Sequence, residues 1–106
     1  MDQHAPTLDD MAAAAHAAAG ALRALSNPSR LLILCRLVQG PASVGTLETT
    51  LGLGQAYVSQ QLARLRADGV VSATREGRSM VYHLSDPRIT PVLRALHAAY
   101  CPPAQD

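Results

Sequence analysis

The chain has 106 residues, nine basic and eight acidic, for a formal net charge of +1. That length carries one domain with a modest core, and a charge so near zero excludes nucleic-acid binding by bulk attraction; any such binding must rest on where the charges sit. With no Phe or Trp, the core must come from Leu, Val, Ile, Ala and Met, while we read the all-Arg basic set and the abundant Ala mainly as the compositional bias of a GC-rich genome.

The N-terminal stretch holds Asp2, Asp9 and Asp10 and no Arg before Arg23. A secretory signal needs a basic start and an apolar run, and "MAAAAHAAAGAL" is Ala-rich instead. No stretch approaches the length and hydropathy of a membrane span, so a soluble, cytoplasmic protein is expected. Thiols there are kept reduced, so two cysteines suggest redox chemistry, metal binding or plain packing more than a staple.

Residues 1–7 read as a disordered tail. A helix runs from a cap at Thr7, with Asp9 and Asp10 in its first turn, to Leu25. A second helix starts in "SNPSR", where Asn27 caps and Pro28 suits the first helical position. Leu31, Leu34, Cys35 and Val38 repeat at i, i+3, i+4, i+7, which places Cys35 on the buried stripe. Gly40-Pro41 ends that helix. Ser43 caps a short helix with Val44, Leu47 and Leu51 on one face, and "GLG" at 52–54 is a tight turn. A longer helix, 55–68, stops at Gly69. "VVSATR" and "SMVYHL", flanking Glu76-Gly77, read as a hairpin. Asp86-Pro87 opens a last helix carrying Ile89, Val92, Leu93, Leu96 and Tyr100. Cys101 precedes Pro102, which pushes it out of the α region at a loosened helix end. Residues 102–106 form a C-terminal tail. The domain is thus 8–101, mainly α with a small β-hairpin: a winged helix-turn-helix of five helices.

Rotated at about 100° per residue, the 55–68 helix puts Val58, Leu62 and Leu65 inward. Tyr57, Gln60 and Arg64 lie opposite, with Gln61 flanking. An apolar back and a hydrogen-bonding front suit a helix that reads base edges in a DNA groove. Its N-terminal residues Gln55 and Ser59 enter such a groove first. Arg75 and Arg78 sit beside the hairpin turn, where a wing contacts the DNA backbone or minor groove. An ordinary amphipathic surface helix shows similar polarity. The helix-turn-helix spacing and the arginine-flanked hairpin favour DNA.

"ALSNPSRLLILCRLVQG", "SVGTLETTLGLGQAYVSQQLARLRADGVV" and "REGRSMVYHLSDPR" together resemble the ArsR/SmtB family of bacterial transcriptional repressors. The resemblance spans roughly residues 20 to 101 and is most specific in the "VSQQLARLRADGVV" block and the "REGRSMVYHL" wing. It implies a homodimer joined through the first and last helices, bound to an inverted-repeat operator in double-stranded DNA and released by an inducer. It also implies that Gln55, Ser59 and Gln60 touch bases.

Family metal sites are not matched. The C-x-C pair of the arsenic- and cadmium-type members is replaced here by Ser43 and Gly45. The zinc-type set on the last helix retains Asp86 but meets Arg88, Ala99 and Pro102 at its other positions. Zinc wants about four N, S or O ligands, so no metal and no cofactor are expected, and His4, His16, His83 and His97 show no ligand spacing. What remains is Cys35 and Cys101. A cysteine in the second helix and another at the end of the last resemble the persulfide-sensing branch, SqrR- and BigR-like. That resemblance implies sulfane-sulfur donors as inducer and a sulfur bridge between the two thiols. His97, one turn before Cys101, can stabilise its thiolate when protonated.

Other readings stay open: sensing of peroxide, electrophiles or a thiophilic metal such as As(III), structural cysteines, or a winged helix that binds only proteins. An enzyme is not expected, because neither a C-x-x-C redox motif, a phosphate loop nor a nucleophile–base motif is present.

Overall fold

The first three helices each begin on a side-chain cap. The computed structural model describes residues 5–103; the outer parts of the two expected tails, 1–4 and 104–106, and with them His4, lie outside the described residues. Helix α1 (Leu8–Leu25) opens with a reciprocal pair: Asp10 N donates to Thr7 Oγ1 at 3.0 Å and Thr7 N donates to Asp10 Oδ2 at 3.1 Å. Helix α2 (Pro28–Val38) is capped by Asn27, whose Oδ1 accepts from Ser29 N at 2.9 Å and Arg30 N at 3.2 Å. Helix α3 (Val44–Leu51) is capped by Ser43 and stops at Gly52, whose φ of 68° is left-handed and open to glycine. Helix α4 (Gln55–Ala67) follows, making the helix-turn-helix.

Three strands form one antiparallel sheet in the order β1-β3-β2. Strands β2 (Val71–Glu76) and β3 (Ser79–Leu84) are the expected hairpin, in register from Val71 opposite Leu84 to Glu76 opposite Ser79. Its two-residue loop has positive φ only at Gly77, which suits a turn that puts glycine first. Strand β1 (Ala42–Ser43) adds a rung not anticipated from sequence, Ala42 facing Tyr82 and Ser43 facing Val81. Two residues are too few to show alternation, and their pairing with β3 is long-range.

The last helix, α5 (Ile89–Tyr100), starts later than Asp86-Pro87 suggested. Asp86 first closes a turn, accepting from both the backbone and the guanidinium of Arg88 at 3.0 Å.

The core gathers Ile33, Leu34 and Leu37 of α2, Leu47 of α3, Val58, Leu62 and Leu65 of α4, and Ile89 and Leu93 of α5, with Val70 and Val71 where the chain enters β2. The inward side of α2 is therefore rotated from the expected stripe. Leu34 is buried as expected, but Leu31, Cys35 and Val38 are only half-buried at the rim of the core. In "RLLILCRLV" nearly every position is apolar, so spacing alone could not choose the face.

Helix α1 is the exception to good burial. Only Ala24 and Leu25, in its last turn, are buried, while Leu8, Met11 and Leu22 stand exposed. Val92 and Tyr100 on α5 are exposed too, and an apolar groove of about 450 Å³ runs between α1 and the start of α5.

Truncating Ile33, wholly buried on α2, to Ala is expected to destabilise the chain by about 2–5 kcal/mol. Asn27→Ala, which removes both cap bonds of α2, should cost about 1 kcal/mol. Urea unfolding at one fixed protein concentration checks both values.

Candidate nucleic-acid interface and thiol pair

Packing fixes which side of α4 looks outward. Val58, Leu62 and Leu65 are wholly buried, as the sequence indicates. Gln61 joins them at 7% exposed, so it does not flank the reading face as expected. Its amide oxygen is hydrogen-bonded by Arg30 Nε at 3.1 Å, which makes a polar side chain tolerable there. On a helix turning about 100° per residue, Gln60 then sits near the centre of the outward face with Ala56 and Ala63. Gln55 and Ser59 flank it on one side, Tyr57 and Arg64 on the other, and all five are exposed.

These residues do not form a single group. Arg64 lies toward the C-terminal half of α4 and lines an open cleft of about 710 Å³ with Arg23, Arg30, Asp68 and the last turns of α1. Gln55, Tyr57, Ser59 and Gln60 belong to the N-terminal half, the end that enters a groove. On the wing, Arg75 and Arg78 are exposed at and beside the Gly77 turn. Among the described residues neither pairs with a carboxylate; the ion pair found there is Arg88 with Asp86. Their guanidinium groups are therefore available to phosphate.

The two cysteines come from α2 and from the end of α5, which pack against each other. Cys35 is half-buried and Cys101 exposed, and both are free thiols. Burial pushes the Cys35 thiol above its ordinary pKa, and the nearby Cys101 thiolate adds to that rise. The packing of α2 on α5 brings the elements that carry the two thiols together. Cys35 also borders a cavity of about 250 Å³ with Val38, Gln39, Leu93, Arg94 and His97. The cavity lies at the seam between the two helices. Cys101 has left the helix, with φ −83° and ψ 136°, as its position before Pro102 requires. Its N–H still donates to His97 O at 2.9 Å.

Among the described residues no group of three or more His, Cys, Asp or Glu is placed to hold a metal ion. No helix there is long and apolar enough to cross a membrane.

Residues 27–73, from the cap of α2 into β2, match the model of the bacterial regulatory protein, arsR family. A biofilm growth-associated repressor of Xylella fastidiosa is 39% identical over 95 residues, covering 90% of this chain and 83% of that protein. The chain belongs to the arsR family. The crystal structure of the transcriptional repressor BigR from Xylella fastidiosa superposes with a TM-score of 0.84 at 38% identity, covering 92% of this chain and 99% of BigR. A homodimeric winged helix-turn-helix DNA-binding domain, Mb0332 from Mycobacterium bovis, gives a TM-score of 0.73 at 29% identity, covering 91% of this chain and 89% of that one. This arsR-family chain is thus a DNA-binding regulator of the winged-helix type.

Gln60→Ala is expected to weaken binding to a selected duplex by about 1–3 kcal/mol while leaving scrambled DNA unaffected. Arg64→Ala, on the cleft side of α4, should weaken it less. Arg75→Ala and Arg78→Ala should weaken binding to all sequences alike and flatten the salt dependence of affinity. Salt titrations of fluorescence anisotropy on both duplexes separate the two patterns.

Proposed function

We propose that the chain is a homodimeric transcriptional repressor that acts by binding an inverted-repeat operator, with no catalytic role, and is released when Cys35 and Cys101 react with sulfane sulfur. The observation that carries the reading is the thiol pair. Two free cysteines sit on elements that pack together, one exposed at the end of α5 and one on α2 bordering a cavity at the seam between those helices.

The asymmetry of the pair orders the chemistry. Burial holds Cys35 as a neutral thiol over a wider pH range, whereas Cys101 is open to solvent and attacks first. The Cys101 thiolate attacks the sulfur next to one end of a polysulfide, the terminal S–S bond breaks, and hydrosulfide leaves. Cys101 then carries a sulfur chain. The Cys35 thiol gives up its proton and its sulfur attacks along that chain, expelling a second hydrosulfide. Each protein–sulfur bond formed releases one hydrosulfide, so the polysulfide is the oxidant and its remaining sulfurs stay in the bridge. The cavity beside Cys35 offers room for them.

The exposed apolar residues support a second copy of the chain as partner. Leu8, Met11 and Leu22 on α1, with Val92 and Tyr100 on α5, are more than a lone chain of this size should leave to water. A dimer over those helices ties the separation of the two α4 helices to α5, and half-site spacing is a geometric requirement for dimers. A bridge that pulls α5 against α2 then changes that spacing.

The elevated Cys35 pKa has a definite sign. The folded chain holds that proton more tightly than the unfolded chain. Its contribution to stability is complete below the unfolded thiol pKa and is lost as pH rises through the folded one.

Cys35→Ser and Cys101→Ser are both expected to bind the duplex when reduced and to stay bound when polysulfide is added, whereas the wild type dissociates. Thermal melts must first show Cys35→Ser folded, since a partly buried hydroxyl without a partner costs about 1–3 kcal/mol. Mass spectrometry of the wild type should show whole-sulfur mass gains after polysulfide and none after peroxide or diamide. Normal release by both variants would make the cysteines mere packing.

A further inference from the structure

The polar side chain buried inside α4 needs a reason beyond packing. Among the described residues Gln61 is the one polar residue counted with the buried core. Hydrophobic contact is non-directional, so Val58, Leu62 and Leu65 would tolerate small rotations of α4 about its axis. A hydrogen bond to a buried amide would not, because it weakens steeply off its preferred distance and angle.

The partner of that amide is itself held from a third side. Arg30 stands in the first turn of α2, its backbone N–H fixed by the Asn27 cap. Its Nε donates to Gln61 Oε1 at 3.1 Å, and its Nη1 donates to Ala24 O at 3.2 Å. Ala24 lies in the last turn of α1, where helix carbonyls lack partners within the helix. Its neighbours there are served locally, Arg23 O by Ser26 and Leu25 O by Asn27. One planar guanidinium therefore joins the end of α1, the start of α2 and the middle of α4. Lysine has no such fork and cannot hold both acceptors in fixed geometry.

We infer that Arg30 is a positioning residue for DNA reading: bridged between the Ala24 carbonyl and the Gln61 amide, it fixes the rotation of α4 and so the outward aim of Gln60. The inference rests on α4 being the helix that reads DNA. Gln61 and Gln60 are adjacent, so a turn of α4 that releases one swings the other off the base edge it addresses. Neither Arg30 nor Gln61 touches DNA in this scheme; they act on sequence preference, not on charge attraction.

The test uses the full chain and two duplexes, one selected by the wild type from a randomised pool and one of scrambled sequence. Gln61→Met keeps volume and removes the acceptor; Arg30→Lys keeps charge and removes the fork. Each is expected to lower the selected-to-scrambled affinity ratio roughly tenfold, the size of one hydrogen bond to a charged group, with an unchanged salt slope. The double variant should be no worse than either single one, since both break the same link. Gln61→Glu, which restores an acceptor for the guanidinium, should keep the ratio. Leu93→Val, a core change on α5 away from the link, should lower thermal stability and leave the ratio intact. A wild type that selects no sequence would overturn the assignment of α4 and this inference together. A wild type that does select, with folded Gln61→Met and Arg30→Lys holding its ratio within twofold, would overturn the role of Arg30 alone.

Discussion

Helix α2 has to satisfy five neighbours at once, and the rest of the molecule is arranged by how it does so. It packs against α1, α3, α4, α5 and β3. A chain without Phe or Trp fills such a centre with branched aliphatics, and Ile33, Leu34 and Leu37 supply the part that is wholly enclosed. Protein interiors are close-packed, so the rotation of α2 is not free once those three are seated. The rotation then decides two other things. It brings Arg30 to the junction with α4, and it carries Cys35 to the rim facing α5. The seating of α4 and the placement of Cys35 are therefore set by one packing choice.

Much of this was legible in the residues, for reasons that can be named. Thr7, Asn27 and Ser43 mark helix starts because a short polar side chain satisfies backbone N–H groups that the helix leaves open. Gly52, Gly69 and Gly77 mark ends and turns because each takes a positive φ. Three features were not legible. The face of α2 could not be chosen from a run in which almost every residue is apolar. Strand β1 exists only through its pairing with β3, forty residues on by register from Ala42 to Tyr82. Gln61 can be buried because a guanidinium thirty-one positions earlier donates to its amide oxygen. Local pattern carries no trace of such a partner.

The candidate site divides in the same way. The exposure of Gln55, Ser59, Gln60, Arg75 and Arg78 follows from local pattern, and the fold agrees with it. Arg64 looked equivalent on a helical wheel, yet the three-dimensional structure gives it to a cleft shared with α1. For the cysteines, sequence placed Cys35 on a buried stripe and Cys101 at a loosened helix end, and the fold moves Cys35 to the rim of the core. The fold adds the contrast between them: one thiol pushed up by burial, the other in solvent.

The backbone at Cys101 bears on how much work a sulfur bridge would have to do. Residue 101 has already left the helix, and Pro102 offers no N–H with which to continue it. Drawing the Cys101 sulfur toward α2 thus turns a residue whose dihedrals are already extended, and the helical hydrogen bonds of α5 upstream of it can stay closed. On the proposed mechanism the helix moves as a rigid lever pulled at its tip, with no unwinding to absorb the pull. On that mechanism, displacement of the Cys101 sulfur beyond what its own dihedrals supply reaches the rest of α5 as a movement of the whole helix.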